Sequence, residues 1–155
     1  MLHSSAGGPR PQADQGAIYG HRRVCYNIAL AGVQRIQEAK LEALELARYI
    51  VDTISAKMGA DILLLDMQEV TLITDYFVIT TAGSERQIGA LADDIVAQTK
   101  REFDTPPLGV EGAPAGGWVL VDYGGVVVHL FSEEQRAYYQ LEELWSKART
   151  LLRIA

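Results

Sequence analysis

The stretch that most limits what this chain can fold into is WVLVDYGGVVVHLF, residues 118–131. Two apolar runs of strand length flank Gly124-Gly125, and such a pair supplies the positive φ values of a tight hairpin turn. The runs are rich in Val, which packs well on a pleated surface. A lone apolar hairpin is at best marginally stable in water, so further strands and a covering layer must exist. Packing alone does not require Trp118, Asp122, Tyr123 and His129, which interrupt the apolar pattern.

Upstream, DILLLDM (61–67) and TDYFVITTAG (74–83) are also of strand length. Both are too apolar for a sheet with one wet face, which predicts helices on both faces. Ile36, Ala39, Ala43, Leu46, Ala47, Ile50 and Ile54 recur at helical spacing, with Gly59 as a stop. Ser84 and Gln87 form a capping box before the stripe Ile88, Leu91, Ala92, Ile95 and Val96. The Pro/Gly-rich DTPPLGVEGAPAGG leaves room for a short edge strand at residues 109–111. Ser132 and Gln135 repeat the cap, and one long helix is expected through SEEQRAYYQLEELWSKARTLL, with Ala137, Tyr138, Leu141, Leu144, Trp145 and Ala148 inward. This order implies a mixed β-sheet flanked by helices, an α/β or α+β layer sandwich. Residues 1–35 lack sustained periodicity and read as a flexible N-terminal extension; residues 36–155 read as one domain.

Charge and cysteine content narrow the partner class. The net charge is −6. Residues 1–35 hold Arg10, Arg22, Arg23 and Arg35 against Asp14, so the negative charge is concentrated in the body. Nucleic-acid affinity rests on Lys and Arg neutralising phosphates, so direct DNA binding is not expected. An acidic body suits a basic protein. The single cysteine, Cys25, excludes an internal disulfide and fits a reducing compartment. No apolar run is long enough to span a membrane, and no convincing presequence is visible, so a bacterial cytoplasmic location is expected, ahead of an organelle.

Chemistry finds little support. His129 is the only histidine of the body, no G-x-S-x-G elbow occurs, and the His and Cys residues lack metal-ligand spacing. Gly83-Ser84 ahead of Asp93-Asp94 loosely resembles a nucleotidyltransferase signature. Adjacent aspartates on a helix point ~100° apart around its axis, however, and cannot clamp one metal. Asp66, Asp75 and Asp122 lie near strand ends, and whether they cluster depends on the fold. The glycines make no phosphate-cradling motif, so no cofactor, no metal and no enzymatic activity are expected. Binding remains. Trp118, Tyr123, Tyr138, Tyr139 and Trp145 interleave with Glu111, Asp122, Glu133, Glu134, Glu142 and Glu143, a combination suited to an interface with a basic partner. Helical spacing assigns Tyr138 and Trp145 to packing, while for Trp118 the pattern leaves core and interface open.

Four blocks, DYFVITTAGSERQIGALADDI, VEG before a Trp, WVLVDYGGVVVHLF and YYQLEELW, resemble the Iojap / ribosomal silencing factor (RsfS) family in order and spacing, from roughly Leu41 to Ala148. The resemblance implies a fold related to nucleotidyltransferases but without their catalytic carboxylates. It also implies a role without chemistry. Family members bind a basic protein, the one numbered fourteen, on the intersubunit face of the large ribosomal subunit. They thereby obstruct subunit joining and repress translation when nutrients run short; organellar relatives act in large-subunit assembly. The family pattern falls on Asp75, Tyr76, Phe77, Ser84, Gln87, Asp93, Glu111, Gly112, Trp118, Asp122, Tyr123, Gly124, His129, Tyr139, Leu141, Glu142 and Trp145. It departs at Gly125, where the usual residue is Asp; a turn-shaping role for that position is favoured over a partner contact. Glu111, Trp118, Asp122 and Tyr123 are expected to contact the partner, with His129 supporting the sheet. Trp118→Ala is expected to cost about 2 kcal/mol of binding and leave the fold intact. The alternatives are a homodimer through the aromatic surface, or a nucleotide-binding, nucleotidyltransferase-like protein recognisable by metal-dependent nucleotide binding.

Overall fold

The computed structural model describes the backbone of residues 15–155 and the side chains of residues 27–155. The extension expected at residues 1–14, and the Cys25 thiol, lie outside these. Helix α1 (Gln15–Ala56) starts well before Ile36, the expected beginning. No proline occurs between Pro11 and Pro106, so no proline ring blocks helix propagation there. Ile28, Leu30, Val33 and Ile36 are exposed, whereas Leu46, Ala47, Ile50, Val51 and Ile54 are buried. Ile36 and Ala39 were expected on the inner face; both are exposed. The chain divides into Met1–Gln37 and Glu38–Ala155, and everything below concerns the second unit.

After α1 come β1 (Ala60–Asp66), β2 (Tyr76–Ala82), α2 (Glu85–Phe103), β3 (Gly109–Ala113), β4 (Trp118–Asp122), β5 (Val126–Ser132), the short helices α3 (Glu133–Tyr139) and α4 (Leu141–Leu144), and β6 (Arg149–Ile154). The six strands form one mixed sheet in the order β3-β4-β5-β2-β1-β6. Only β2 and β5 run parallel, Tyr76 beside Val126 through Ala82 beside Ser132. The crossover between them carries α2 and the hairpin arm β3–β4. Ser84 caps α2 by accepting the Gln87 N–H at 3.1 Å, and Ser132 caps α3 by accepting the Gln135 N–H at 3.2 Å. Both caps stand where the sequence places them.

Strand alternation divides the interior in two. Ile62, Leu64, Val78, Val119, Val121, Val128 and Leu130 face Ile50, Ile54, Ile88, Leu91 and Ile95 of the two long helices. On the other face Leu63, Leu65, Met67, Ile79, Phe131 and Leu141 are buried together, with Phe77, Trp118, Trp145 and Ala148 packed against them. Helices therefore do not cover both faces fully, as the apolar strands suggested. On the second face a short cover of α4, Trp145 and Ala148 suffices for the strands near β1, and over β4 the described residues of Glu38–Ala155 add Tyr139, at the end of α3, which packs on Trp118.

The expected C-terminal helix is three elements. Gln140 adopts φ 46°, ψ 53°, a left-handed conformation that ends α3. Tyr138 and Leu144, expected inward, are 77% and 71% exposed. The last residues pair antiparallel with β1, Ile62 beside Ile154 through Asp66 beside Arg149, with a bulge at Leu151. Satisfying the free backbone edge of β1 outweighs the modest helix preference of the Leu, Lys, Ala and Arg residues there.

Candidate functional site

The uncovered half of the sheet is built by the period-two alternation of β4 and β5. On β4, Val119 and Val121 are buried beneath the long helices, so Trp118, Leu120 and Asp122 face the other way. Val127, His129 and Phe131 of β5 lie opposite Asp122, Leu120 and Trp118. Glu111 of β3 stands opposite Leu120 and is exposed. Leu120 carried no weight in the sequence reading, although its place two residues after Trp118 puts it on the same face.

Trp118 is half-buried and does not stand free. Its ring lies 4.9 Å from Phe131 and 4.6 Å from Tyr139, centroid to centroid, and its Nε1–H donates to His129 Nδ1 at 3.3 Å. Trp118→Ala would remove these contacts and so would cost stability as well as any binding. His129, only 4% exposed, packs edge-on against Phe77 at 4.7 Å. Burial pushes its pKa down to about 4, so the ring is neutral near pH 7. Since Nδ1 accepts, the proton resides on Nε2, which finds no acceptor among the described residues. Trp145 packs inward, edge-on to Phe77 at 6.1 Å.

The other two expected contact residues are placed differently. Asp122 Oδ1 accepts the Gly124 N–H at 2.7 Å, closing the hairpin turn. Gly124 has φ +81°, a value that glycine adopts without strain. Tyr123 points toward the long helices, its hydroxyl 2.7 Å from Thr99 Oγ1 of α2. Burial raises the Tyr123 pKa, and the Thr99 hydrogen bond partly offsets that. Glu111 and Trp118 thus share the open face, Asp122 borders it while serving the turn, and Tyr123 sits behind it. At Gly125 a β-carbon would lie 3.1 Å from the Ala43 methyl and 3.5 Å from the Asp75 carboxylate, so this chain accommodates glycine there by close packing of α1.

The remaining family positions are structural anchors. The Gly125 carbonyl accepts from the N–H groups of Asp75 and Tyr76, at 3.1 and 3.0 Å. Gln68 Nε2 donates to the Tyr76 hydroxyl at 2.8 Å. Burial raises the Tyr76 pKa, and the charges of Asp66 and Asp75 raise it further. Gln87 Oε1 accepts from the Gly83 N–H at 2.6 Å and its Nε2 donates to the Met58 carbonyl at 3.1 Å, tying the start of α2 to the end of α1.

Arg136 was missed by the sequence reading. It is buried, donates from Nε to Glu142 at 2.7 Å and from Nη1 to the Asp61 carbonyl and the Thr81 hydroxyl at 2.6 and 2.9 Å. An arginine on the outer turn of an expected exposed helix carries no burial signal. Asp94, on α2, lies 3.6 Å from Lys57. Among the described residues no group of three or more His, Cys, Asp or Glu side chains is placed to hold a metal ion, so Asp66, Asp75 and Asp122 do not form such a cluster.

Comparison with known proteins agrees with this geometry. Residues 40–154 match the family model described as ribosomal silencing factor during starvation, RsfS. The chain is 44% identical over 92 residues to the ribosomal silencing factor RsfS of Bacillus subtilis, covering 59% of this chain and 77% of that protein. It is 32% identical over 99 residues to a mouse protein named mitochondrial assembly of ribosomal large subunit protein 1, covering 63% of this chain and 43% of that one. A crystal structure of a Chromobacterium violaceum protein superimposes with a TM-score of 0.63 at 34% identity, over 66% of this chain and 85% of that one. A family match across most of the compact unit, joined to relatives and a solved structure above 30% identity, establishes that the chain belongs to the RsfS / Iojap family of ribosomal silencing factors.

Proposed function

We propose that this chain acts as a ribosomal silencing factor, by binding and without turning over a substrate. It docks the β3–β4–β5 face on a basic protein at the intersubunit side of the large ribosomal subunit, the one numbered fourteen. The docked factor obstructs subunit joining and lowers translation, in the bacterial cytoplasm. The observation that carries this reading is the β3–β4 part of the sheet face, which the described residues leave largely open and where Trp118, Leu120 and Glu111 lie together in an acidic body. Aromatic and apolar burial flanked by carboxylates is what recognition of a basic protein requires. Among the described residues no helix is long and apolar enough to cross a membrane. The name of the mouse relative supports a second reading, in which the same docking serves large-subunit assembly.

Leu120→Asp tests the face, because the side chain is half-buried on the open side and the charge lands inside the contact. In co-sedimentation with isolated large subunits, the wild type is expected in the pellet and the variant in the supernatant, with unchanged circular dichroism. Wild-type protein that stays in solution would sink the ribosome reading. A concentration-dependent mass that disappears with Leu120→Asp, without subunit binding, would give the face to a second copy of this chain.

A further inference from the structure

We propose that the groove between β3 and β4 seats one cationic side chain of the partner, an arginine or a lysine. Its stem lies on the Trp118 indole and Leu120, and its charged head meets the Glu111 carboxylate. The proposal deepens the reading of the open face as a partner surface and rests on it.

The groove has a volume of about 170 Å³ and is lined by Glu111, Gly112, Trp118 and Leu120. At ~30 Å³ for each water's share of the liquid, that is room for about six waters, the scale of a single long side chain. Bare backbone makes one wall. Gly112 has φ +82°, and a β-carbon there would meet the Trp118 carbonyl oxygen at 2.2 Å, so only glycine holds β3 this close to β4. The apolar floor is preset, because Phe131, Tyr139 and His129 already fix the Trp118 ring. An immobilised indole bordering the groove takes the apolar stem of a cationic side chain without an ordering cost of its own.

The head group is specified by charge. Glu111 stands directly across from Leu120 on the same face, within the ~5 Å between side chains paired across strands. The basic residues that form ion pairs among the described residues reach Asp94, Asp104, Glu102, Asp61, Glu142 and Asp66, and none reaches Glu111. A carboxylate beside an apolar slot, with no cation paired to it among the described residues, fits a side chain with an apolar stem and a positive end. A neutral apolar side chain would leave that carboxylate partly desolvated and unpaired.

The test follows the two indole N–H resonances, Trp118 and Trp145, in ¹⁵N-labelled protein. Titration with arginine amide is expected to shift the Trp118 signal saturably and leave Trp145 in place. Norleucine amide, similar in length but neutral at its end, is expected to shift neither, and Glu111→Gln to weaken the arginine response about tenfold. Equal shifts with norleucine amide, no shift with arginine amide, or an undiminished response in Glu111→Gln would each overturn the groove. Large-subunit binding separates the two levels. Glu111→Gln binding like wild type, while Leu120→Asp does not bind, removes the groove and keeps the face. Normal binding by both variants removes the face as well.

Discussion

At the scale of single residues, His129 is the clearest case of a side chain whose chemistry is set by its surroundings. The imidazole is wedged among Phe77, Trp118 and Phe131, and burial holds its pKa at about 4 against 6.5 for an unperturbed histidine. Between these values the unfolded chain binds the proton and the folded chain does not, so stability falls as the pH drops through this window. It is level above pH 6.5, and this group takes no more away below about 4. The full effect is on the order of 3 kcal/mol, from 1.36 kcal/mol for each pKa unit. Urea denaturation at pH 7 and pH 4.5 should show a drop in wild type that shrinks in His129→Phe, which keeps an aromatic ring and has no proton to bind. An equal drop in both proteins would place the acid sensitivity elsewhere. Sequence alone supported His129 as a sheet residue rather than a catalyst, since it has no partner base or nucleophile nearby in the chain. That Trp118 donates to it was invisible, because that contact depends on β4–β5 register.

At the scale of elements, the C-terminal segment depends on Arg136. Its guanidinium joins α3 to Glu142 at α4, to the Asp61 backbone at the start of β1 and to Thr81 of β2. Arg136 Nη2 also lies 3.5 Å from the Asp61 carboxylate, which Arg153 of β6 approaches at 3.4 Å. Removing Arg136 leaves the Asp61 carbonyl, the Thr81 hydroxyl and the Glu142 carboxylate without their donor; because Glu142 and Asp61 stay partly exposed to water, the loss falls below the ~3–5 kcal/mol of a fully buried pair. Arg136→Met, which conserves the stem, should therefore lower the thermal midpoint markedly and loosen β6, seen as faster amide exchange over residues 149–154. A midpoint within a degree or two of wild type would show the network to be dispensable. The capped starts of α2 and α3 were legible because a cap is a local device spanning four residues. The end of α3 was not, because Gln140 has no preference for left-handed backbone that reading could detect. It takes that conformation because Leu141 is buried immediately after it.

At the scale of the whole molecule, the relevant quantity is the field of the acidic body. On the proposed function, the net charge of −6 and the exposed Glu111 beside Trp118 would steer a basic partner toward the open face. Raising the ionic strength shortens the Debye length from ~10 Å at 0.1 M, so association with large subunits should slow with salt while dissociation changes less. Stopped-flow or surface-based kinetics at several salt concentrations measures this directly. An association rate independent of salt would mean that the contact is purely apolar.

Taken alone, the order of residues determined the local devices: two serine caps, the hairpin with its glycine pair, four apolar strands, the edge strand β3 and the family to which the chain belongs. Each is written in neighbouring residues or in a period of two or 3.6. Tertiary structure decided which strand edges needed a partner, and so turned the end of an expected helix, from Arg149, into β6 (Arg149–Ile154). It also decided which of the aromatic and acidic residues share a face. Glu111, Trp118 and Leu120 meet only through antiparallel register between β3 and β4, while Tyr123, next to Asp122 in the chain, turns away to Thr99. Adjacent residues on a strand point to opposite sides, so a cluster in sequence is divided by the sheet that contains it.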